Sequence, residues 1–346
     1  MKPSASPPLT QRPDLLLYGK LASQKVGYVA GQIEITSACS QRCFMCDSWK
    51  QHKTGQIKGT IPYHTLVNLF NELDRMPTFE HLTFTGGDPQ DWKDQEGFLS
   101  FDPLLEMLQD EFSFSLQVNT ALIKPLNPKV WRRSLNRVRV SLDAIKQETY
   151  RIIRGDNRDP EEILERMEIL DHRNLSTMTC VSDHNIDEIP SLIRRLNKMK
   201  SKPRKMMFLP AMGVKLSSRF HAKYRRLKNI YSTIPTSFAE DTTWVRTFVE
   251  SLEASDIRCW GGAITFHIKC NGDVYPCCLV GGEAIKTWES FKIGNIYDLP
   301  LEQIQQSYTP REHYYSTSPC CDACQWKQLM LNCIGEEASR NILAMP

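Results

Sequence analysis

The stretch GQIEITSACSQRCFMCDSW (31–49) joins a short β-rich run to three closely spaced cysteines, Cys39, Cys43 and Cys46. GQIEIT (31–36) reads as a strand, and the cysteines follow it in a single loop. Three thiolates at this spacing suit an iron–sulfur cube with three irons ligated by protein and one left open. A closed structural zinc site wants four ligands, and no cysteine or histidine stands close enough to supply the fourth; His52 lies beyond the loop. An open iron is a place where a substrate or cofactor chelates. The C-terminal end of a strand is where barrel enzymes put their chemistry.

Outward from this loop the pattern repeats. HLTFTG (81–86), FSLQVN (114–119), VRVSLD (138–143), TMTCVS (177–182) and KMMFLP (205–210) read as further strands. Helical spacing separates them in YHTLVNLFNELDRM (63–76), DPLLEMLQDEF (102–112), PEEILERMEILDHR (160–173) and DEIPSLIRRLNKM (187–199). Six β/α units in series predict an α/β fold, a partial (β/α)6 TIM-like barrel with a parallel sheet. TWVRTFVESLEA (243–254) reads as its last helix, after a basic rim loop over 211–240. Composition then shifts to Cys, Gly and short strands. The expected organisation is a flexible Pro-rich leader (1–29), the barrel (30–255) and a Cys-rich C-terminal domain (256–346).

The chain has 346 residues with 41% hydrophobic and 24% charged, which excludes disordered and collagen-like classes. No apolar run approaches the roughly 18 residues of a membrane span, and no secretory signal is seen at the N-terminus. A cytoplasmic location is expected, with no membrane partner. Twelve cysteines in a reducing compartment point to metal rather than disulfides. Residues 191–230 hold thirteen Lys and Arg and no acid, leaving the rest of the chain with 30 basic against 40 acidic residues. Such polarity suggests an anionic partner, with Lys215, Arg219, Arg225 and Arg226 as candidate substrate-binding residues beside Phe220, Tyr224 and Tyr231.

The Cys-x3-Cys-x2-Cys loop resembles that of the radical S-adenosylmethionine (radical SAM) superfamily. TGGDP (85–89) resembles the family's GGEP motif with Asp88 in place of Glu, and VRVSLDAIKQETYRIIRG (138–155) is similar to its fourth-strand region. The resemblance implies S-adenosyl-L-methionine bound at the open iron and near Gly86, Gly87, Asp88, Asn119, Ser141 and Asp143. It implies a 5′-deoxyadenosyl radical that takes a hydrogen atom from substrate, and an electron donor such as flavodoxin or ferredoxin. CNGDVYPC (270–277), IGNIYDLPLEQIQQS (293–307) and CCDAC (320–324) resemble the family's SPASM/twitch extensions. That implies one auxiliary 4Fe–4S cluster on Cys259, Cys277, Cys321 and Cys324, with Cys278 and Cys320 as neighbouring alternatives.

The function expected is hydrogen abstraction from an anionic, nucleotide- or nucleic-acid-containing substrate, ending in oxidation or rearrangement. Two alternatives stand beside it: a radical SAM dehydrogenase of a small sugar or amino-alcohol, and a zinc-stabilised nucleic-acid-binding protein. No catalytic base is assigned.

Overall fold

A computed structural model describes residues 27–55, 57–94, 97–108, 111–211, 214–231, 244–247, 262, 265–276 and 291–308. Six strands follow in order: β1 (Ala30–Glu34), β2 (His81–Thr85), β3 (Ser115–Thr120), β4 (Arg137–Ser141), β5 (Leu175–Val181) and β6 (Lys205–Pro210). Each pairs in parallel with the next. The crossovers are helical: α1 (Asp47–Thr54) and α2 (Tyr63–Asp74), α3 (Phe101–Met107), α4 (Pro128–Ser134), α5 (Gln147–Arg154) and α6 (Pro160–Leu170), then α7 (Ile189–Asn197). This is the partial (β/α)6 barrel that the alternation of strand and helix signals predicts.

The sheet runs further at both edges. β7 (Trp244–Thr247) pairs in parallel with β6 where a helix was expected; residues 248–254 of that stretch lie outside the described residues. A four-residue aromatic and β-branched run fits either state, and here pairing with β6 decides it. At the other edge β8 (Thr265–Ile268) pairs in parallel with β1, and β9 (Asp273–Tyr275) and β10 (Gly294–Asn295) continue antiparallel, giving the order β10-β9-β8-β1-β2-β3-β4-β5-β6-β7. The strand of the Cys-rich segment is thus continuous with the barrel sheet. Gly31 makes that join possible: it sits opposite Phe266, and a Cβ there would fall inside the Phe266 ring.

The basic rim loop is replaced, over Ser218–Tyr231, by helix α8, which carries Phe220 into the core and donates the Tyr224 hydroxyl to the Phe208 carbonyl at 3.1 Å. α9 (Leu301–Ser307) closes the described chain. The apolar core lies between sheet and helices: Ile33, Phe84, Val118, Val138, Val140 and Phe208 from the strands meet Leu66, Phe70, Trp131, Leu164 and Leu192 from the helices. The alternate strand positions therefore face the barrel interior.

Candidate active site at the C-terminal ends of the strands

The cysteine loop leaves β1 and is clamped from two sides. Towards β2, the Gly87 amide donates to the Thr36 carbonyl at 2.8 Å, the Asp88 amide to that of Ala38 at 2.9 Å, and Ser40 to the Asp91 carboxylate at 2.9 Å from its amide. Towards α5, the Arg42 and Phe44 amides donate to the Arg154 and Ile153 carbonyls at 2.8 and 3.1 Å. Glycine is demanded on both sides. A Cβ on Gly87 would overlap the Ala38 carbonyl, and Gly155, at φ 59, would meet the Arg42 oxygen at 2.7 Å. The glycines of TGGDP are thus explained by the approach of the loop's backbone.

Each sulfur of the loop receives a donor. The Gln41 amide lies 3.4 Å from Cys39 Sγ, the Trp49 amide 3.3 Å from Cys46 Sγ, and the Arg154 guanidinium 3.6 Å from Cys43 Sγ. Donors aimed at sulfur favour thiolate ligands, which is how iron–sulfur clusters are held and tuned. Burial pushes the Cys39 thiol up to about 12 and raises Cys43 as well; a metal held here would draw off these protons. Among the described residues no three ligating side chains converge on one metal ion. A cube needs no such convergence, because its three thiolates sit on separate corners.

The polar residues expected around the cofactor divide. Asn119 and Ser141 are half-buried on interior positions of β3 and β4, with Asn119 Oδ1 accepting from Gln117 Nε2 at 2.9 Å. The carboxylates of Asp88 and Asp143, both expected near the cofactor, are engaged by groups of the protein itself. Asp88 is buried and accepts from the Ala121 amide at 2.7 Å, Thr120 Oγ1 at 2.8 Å and the Gln90 amide at 3.0 Å, so it holds the end of β3 to the end of β2. Asp143 is fully buried, 2.6 Å from Arg154 Nε, and accepts from the Cys180 amide at 2.7 Å. Gly86 takes φ 134, and a Cβ there would meet the Thr36 oxygen at 2.6 Å.

With this geometry in place, the family model of the radical SAM superfamily matches residues 33–196, and that of the SPASM iron–sulfur cluster-binding domain matches residues 259–334. The chain belongs to the radical SAM superfamily. A probable GTP 3′,8-cyclase of Archaeoglobus fulgidus is 24% identical over 178 residues, 49% of this chain and 56% of the relative. A GTP 3′,8-cyclase of Staphylococcus carnosus is 27% identical over 143 residues, 40% of each. The chain thus spans about half the length of the curated relatives it matches. Among solved structures, Streptococcus suis SuiB superposes with a TM-score of 0.63 at 12% identity, covering 90% of this chain and 74% of that one. Native anSMEcpe with bound AdoMet and a peptide gives 0.60 at 15% identity, covering 88% of each. At such identities the likeness shows the fold.

The cofactors of this radical SAM chain are S-adenosylmethionine and two 4Fe–4S clusters, one in the radical SAM domain and one auxiliary. Cys259, Cys277, Cys321 and Cys324 lie outside the described residues. Cys270 is buried, its thiol pushed up to about 12 by burial. Cys180 is half-buried at an interior position of β5, where burial raises its thiol and Asp143 and the Cys43 and Cys46 sulfurs add to the effect.

Sequence reasoning did not anticipate the group that joins the two parts of the radical SAM chain. Glu34, at the end of β1, accepts at Oε1 from Lys269 Nζ at 3.0 Å, His267 Nε2 at 3.2 Å and Ser48 Oγ at 3.3 Å. Burial would raise the Glu34 carboxyl, but Lys269 and His267 outweigh it and hold the group well below the usual carboxylate range. The strand that launches the cysteine loop is thereby tied to the β8 hairpin next to Cys270. Lys215, Arg219, Arg225 and Arg226 are exposed, the last three on α8. Arg219, with Lys223, is engaged by Asp187.

Deeper in the interior, His81 bridges Ser115 Oγ at 2.7 Å and Thr83 Oγ1 at 3.1 Å, and burial, then Arg137 and Arg139, depress it to about 3. Burial likewise lowers His172 and His267. Below the unfolded value of 6.5 the unfolded chain binds protons that the folded chain refuses. Their contribution to stability is therefore full above that pH and declines as the pH falls towards the folded values. A drop on the order of 1–2 kcal/mol between pH 6.5 and 5 is expected by urea unfolding, with His81→Gln flattening the slope. An unfolding midpoint independent of pH in this window would contradict the placement of His81.

Proposed function

We propose that this chain is an enzyme that abstracts a hydrogen atom from an anionic, nucleotide-sized substrate held in the barrel interior, with oxidation or rearrangement as the outcome. One observation carries it: three cysteines at the C-terminal end of β1, each with a donor at its sulfur, above interior positions that hold Asn119 and Ser141. When bound, the open-iron cluster and S-adenosylmethionine supply a hydrogen-abstracting carbon radical. The protein's part is positional. Asn119 and Ser141 offer an amide and a hydroxyl to the cofactor, while Asp88, Asp143 and Arg154 fix the strand ends and loop that surround it. Cys259, Cys277, Cys321 and Cys324 carry the auxiliary cluster, and an external one-electron donor such as flavodoxin or ferredoxin reduces the protein in the cytoplasm.

The nucleotide rests on the local similarity to proteins named GTP 3′,8-cyclase. A polynucleotide is less favoured, because the basic segment forms an outer helix, with Arg219 and Lys223 held by Asp187, and not a loop over the site.

Cys43→Ala is expected to abolish S-adenosylmethionine cleavage by the dithionite-reduced protein while leaving about four irons per chain on the auxiliary cluster. Unchanged cleavage sinks the assignment of the loop. GTP added to the wild-type protein is expected to raise 5′-deoxyadenosine release at least fivefold; no rise removes the nucleotide from the proposal.

A further inference from the structure

Glu34 stands where the cysteine loop and the C-terminal segment meet. Register sets Gln32 beside His267 and Ile33 beside Ile268, so the same pairing carries Glu34 to Lys269 at the ends of β1 and β8. Ile33 and Ile268 belong to the apolar core, and their alternates Glu34, His267 and Lys269 point to the opposite side of the sheet. All three are buried. One residue beyond Lys269, the Ser37 side chain is hydrogen-bonded to Cys270, and a Cβ on Gly59 would meet the Cys270 carbonyl oxygen at 2.9 Å. The segment that runs through β9 towards Cys277 therefore rests on the stretch that runs from β1 to Cys39.

From Glu34 the contacts lead to a sulfur of the loop. The carboxylate oxygen that takes Lys269 and His267 also accepts from Ser48 Oγ at 3.3 Å. Ser48 lies in the first turn of α1, and the amide of the next residue, Trp49, donates to Cys46 Sγ at 3.3 Å. The Lys50 amide donates to the Cys46 carbonyl at 3.3 Å. The placement of that turn thus decides how Cys46 is met by its N–H donors. A donor aimed at a ligating sulfur stabilises the added electron of a reduced cluster and raises its potential. A buried ion pair adds little net stability over apolar packing, but its direction fixes what it holds. Three donors of defined direction on one oxygen make Glu34 such a fixing group.

We propose that Glu34 is a positioning residue for the loop cluster: gripped by His267 and Lys269 of the C-terminal segment, it holds Ser48 and so sets the amide donor at Cys46 and the reduction potential of that cluster. This role rests on the placement of the open-iron cluster on Cys39, Cys43 and Cys46. It goes further in making the potential at that loop answer to β8. The C-terminal segment then takes part in radical generation without touching S-adenosylmethionine.

The test is a redox titration, followed by electron paramagnetic resonance, of the anaerobically reconstituted full-length protein. The loop cluster is the one whose signal changes when S-adenosylmethionine is added. Ser48→Ala is expected to retain its iron and to disfavour reduction of that cluster at least threefold, a fall of about 28 mV for one electron. Ser48→Thr keeps the hydroxyl and is expected to titrate as the wild type does. His267→Leu removes a donor to Glu34 from β8 without removing a charge, because burial lowers the imidazole and keeps it neutral. It is expected to shift the potential in the same direction, and His267→Gln to restore it. The double variant of Ser48→Ala with His267→Leu is expected to shift no further than the larger single, since both break one chain of contacts. Should His267→Leu fail to hold iron, the two Ser48 variants decide the matter. An unmoved potential in Ser48→Ala, an equal fall in Ser48→Thr, or additive shifts in the double variant overturns the role of Glu34. A wild-type protein with no signal that responds to S-adenosylmethionine refutes the placement of the cluster instead.

Discussion

Arg154→Met is expected to cost about 3–5 kcal/mol of folding stability and to strip the iron from the Cys39–Cys43–Cys46 loop. Arg154 Nε lies 2.6 Å from a carboxylate oxygen of Asp143, a residue with no solvent exposure at all. Removing the guanidinium leaves that carboxylate buried without its counter-charge, and protonating it instead relieves the burial but costs the free energy of taking up a proton at neutral pH. The same guanidinium reaches Gln41 Oε1 at 3.3 Å and Cys43 Sγ at 3.6 Å, so the loop loses its inner support in the same step. Urea unfolding and iron analysis check both halves. The double variant Arg154→Met with Asp143→Leu is expected to recover at least half of the stability, since it removes both charges together. A single variant within 1 kcal/mol of the wild type would show that the pair is not what holds α5 against β4.

Gly87→Ala is expected to be nearly as damaging from the other side of the loop. The added methyl would overlap the Ala38 carbonyl oxygen and lie 2.5 Å from its carbon and 2.8 Å from the Ser37 oxygen. All three atoms are backbone, so no side chain can swing aside. Relief requires opening the Gly87–Thr36 and Asp88–Ala38 hydrogen bonds that fasten the loop to β2. Overpacking of this kind costs about 3 kcal/mol or more, and S-adenosylmethionine cleavage is expected to fall below a hundredth of wild type. Gly97→Ala is the control: nothing lies within 4 Å of its Cβ, and its positive φ alone costs about 1 kcal/mol. Equal effects from the two substitutions would remove the loop contact from the explanation.

The local parts of the fold were written in the chain. KMMFLP (205–210) coincides with β6, and the Leu66, Leu69, Phe70, Leu73 stripe is the buried face of α2. Both signals are periodicities that survive in isolation. The non-local parts were not legible. Glu34 and Lys269 are 235 positions apart, and their contact exists only because β8 pairs with β1. Trp244–Thr247 could be read as helix because what makes it a strand is the edge of β6. The carboxylates of Asp88 and Asp143 match a motif by position, but their protein partners, the Ala121 and Cys180 amides and Arg154, are fixed by contacts the sequence pattern does not carry. RVRVS (137–141) alternates Arg with Val, and its register with β3 and β5 decides which set faces inward.

The central claim is that the loop after β1 holds a cluster that cleaves S-adenosylmethionine. The most direct measurement is iron, sulfide and zinc analysis of the anaerobically purified protein, followed by dithionite reduction in the presence of S-adenosylmethionine. About eight irons per chain and release of 5′-deoxyadenosine are predicted. Zinc in place of iron, with S-adenosylmethionine left intact, would contradict the account.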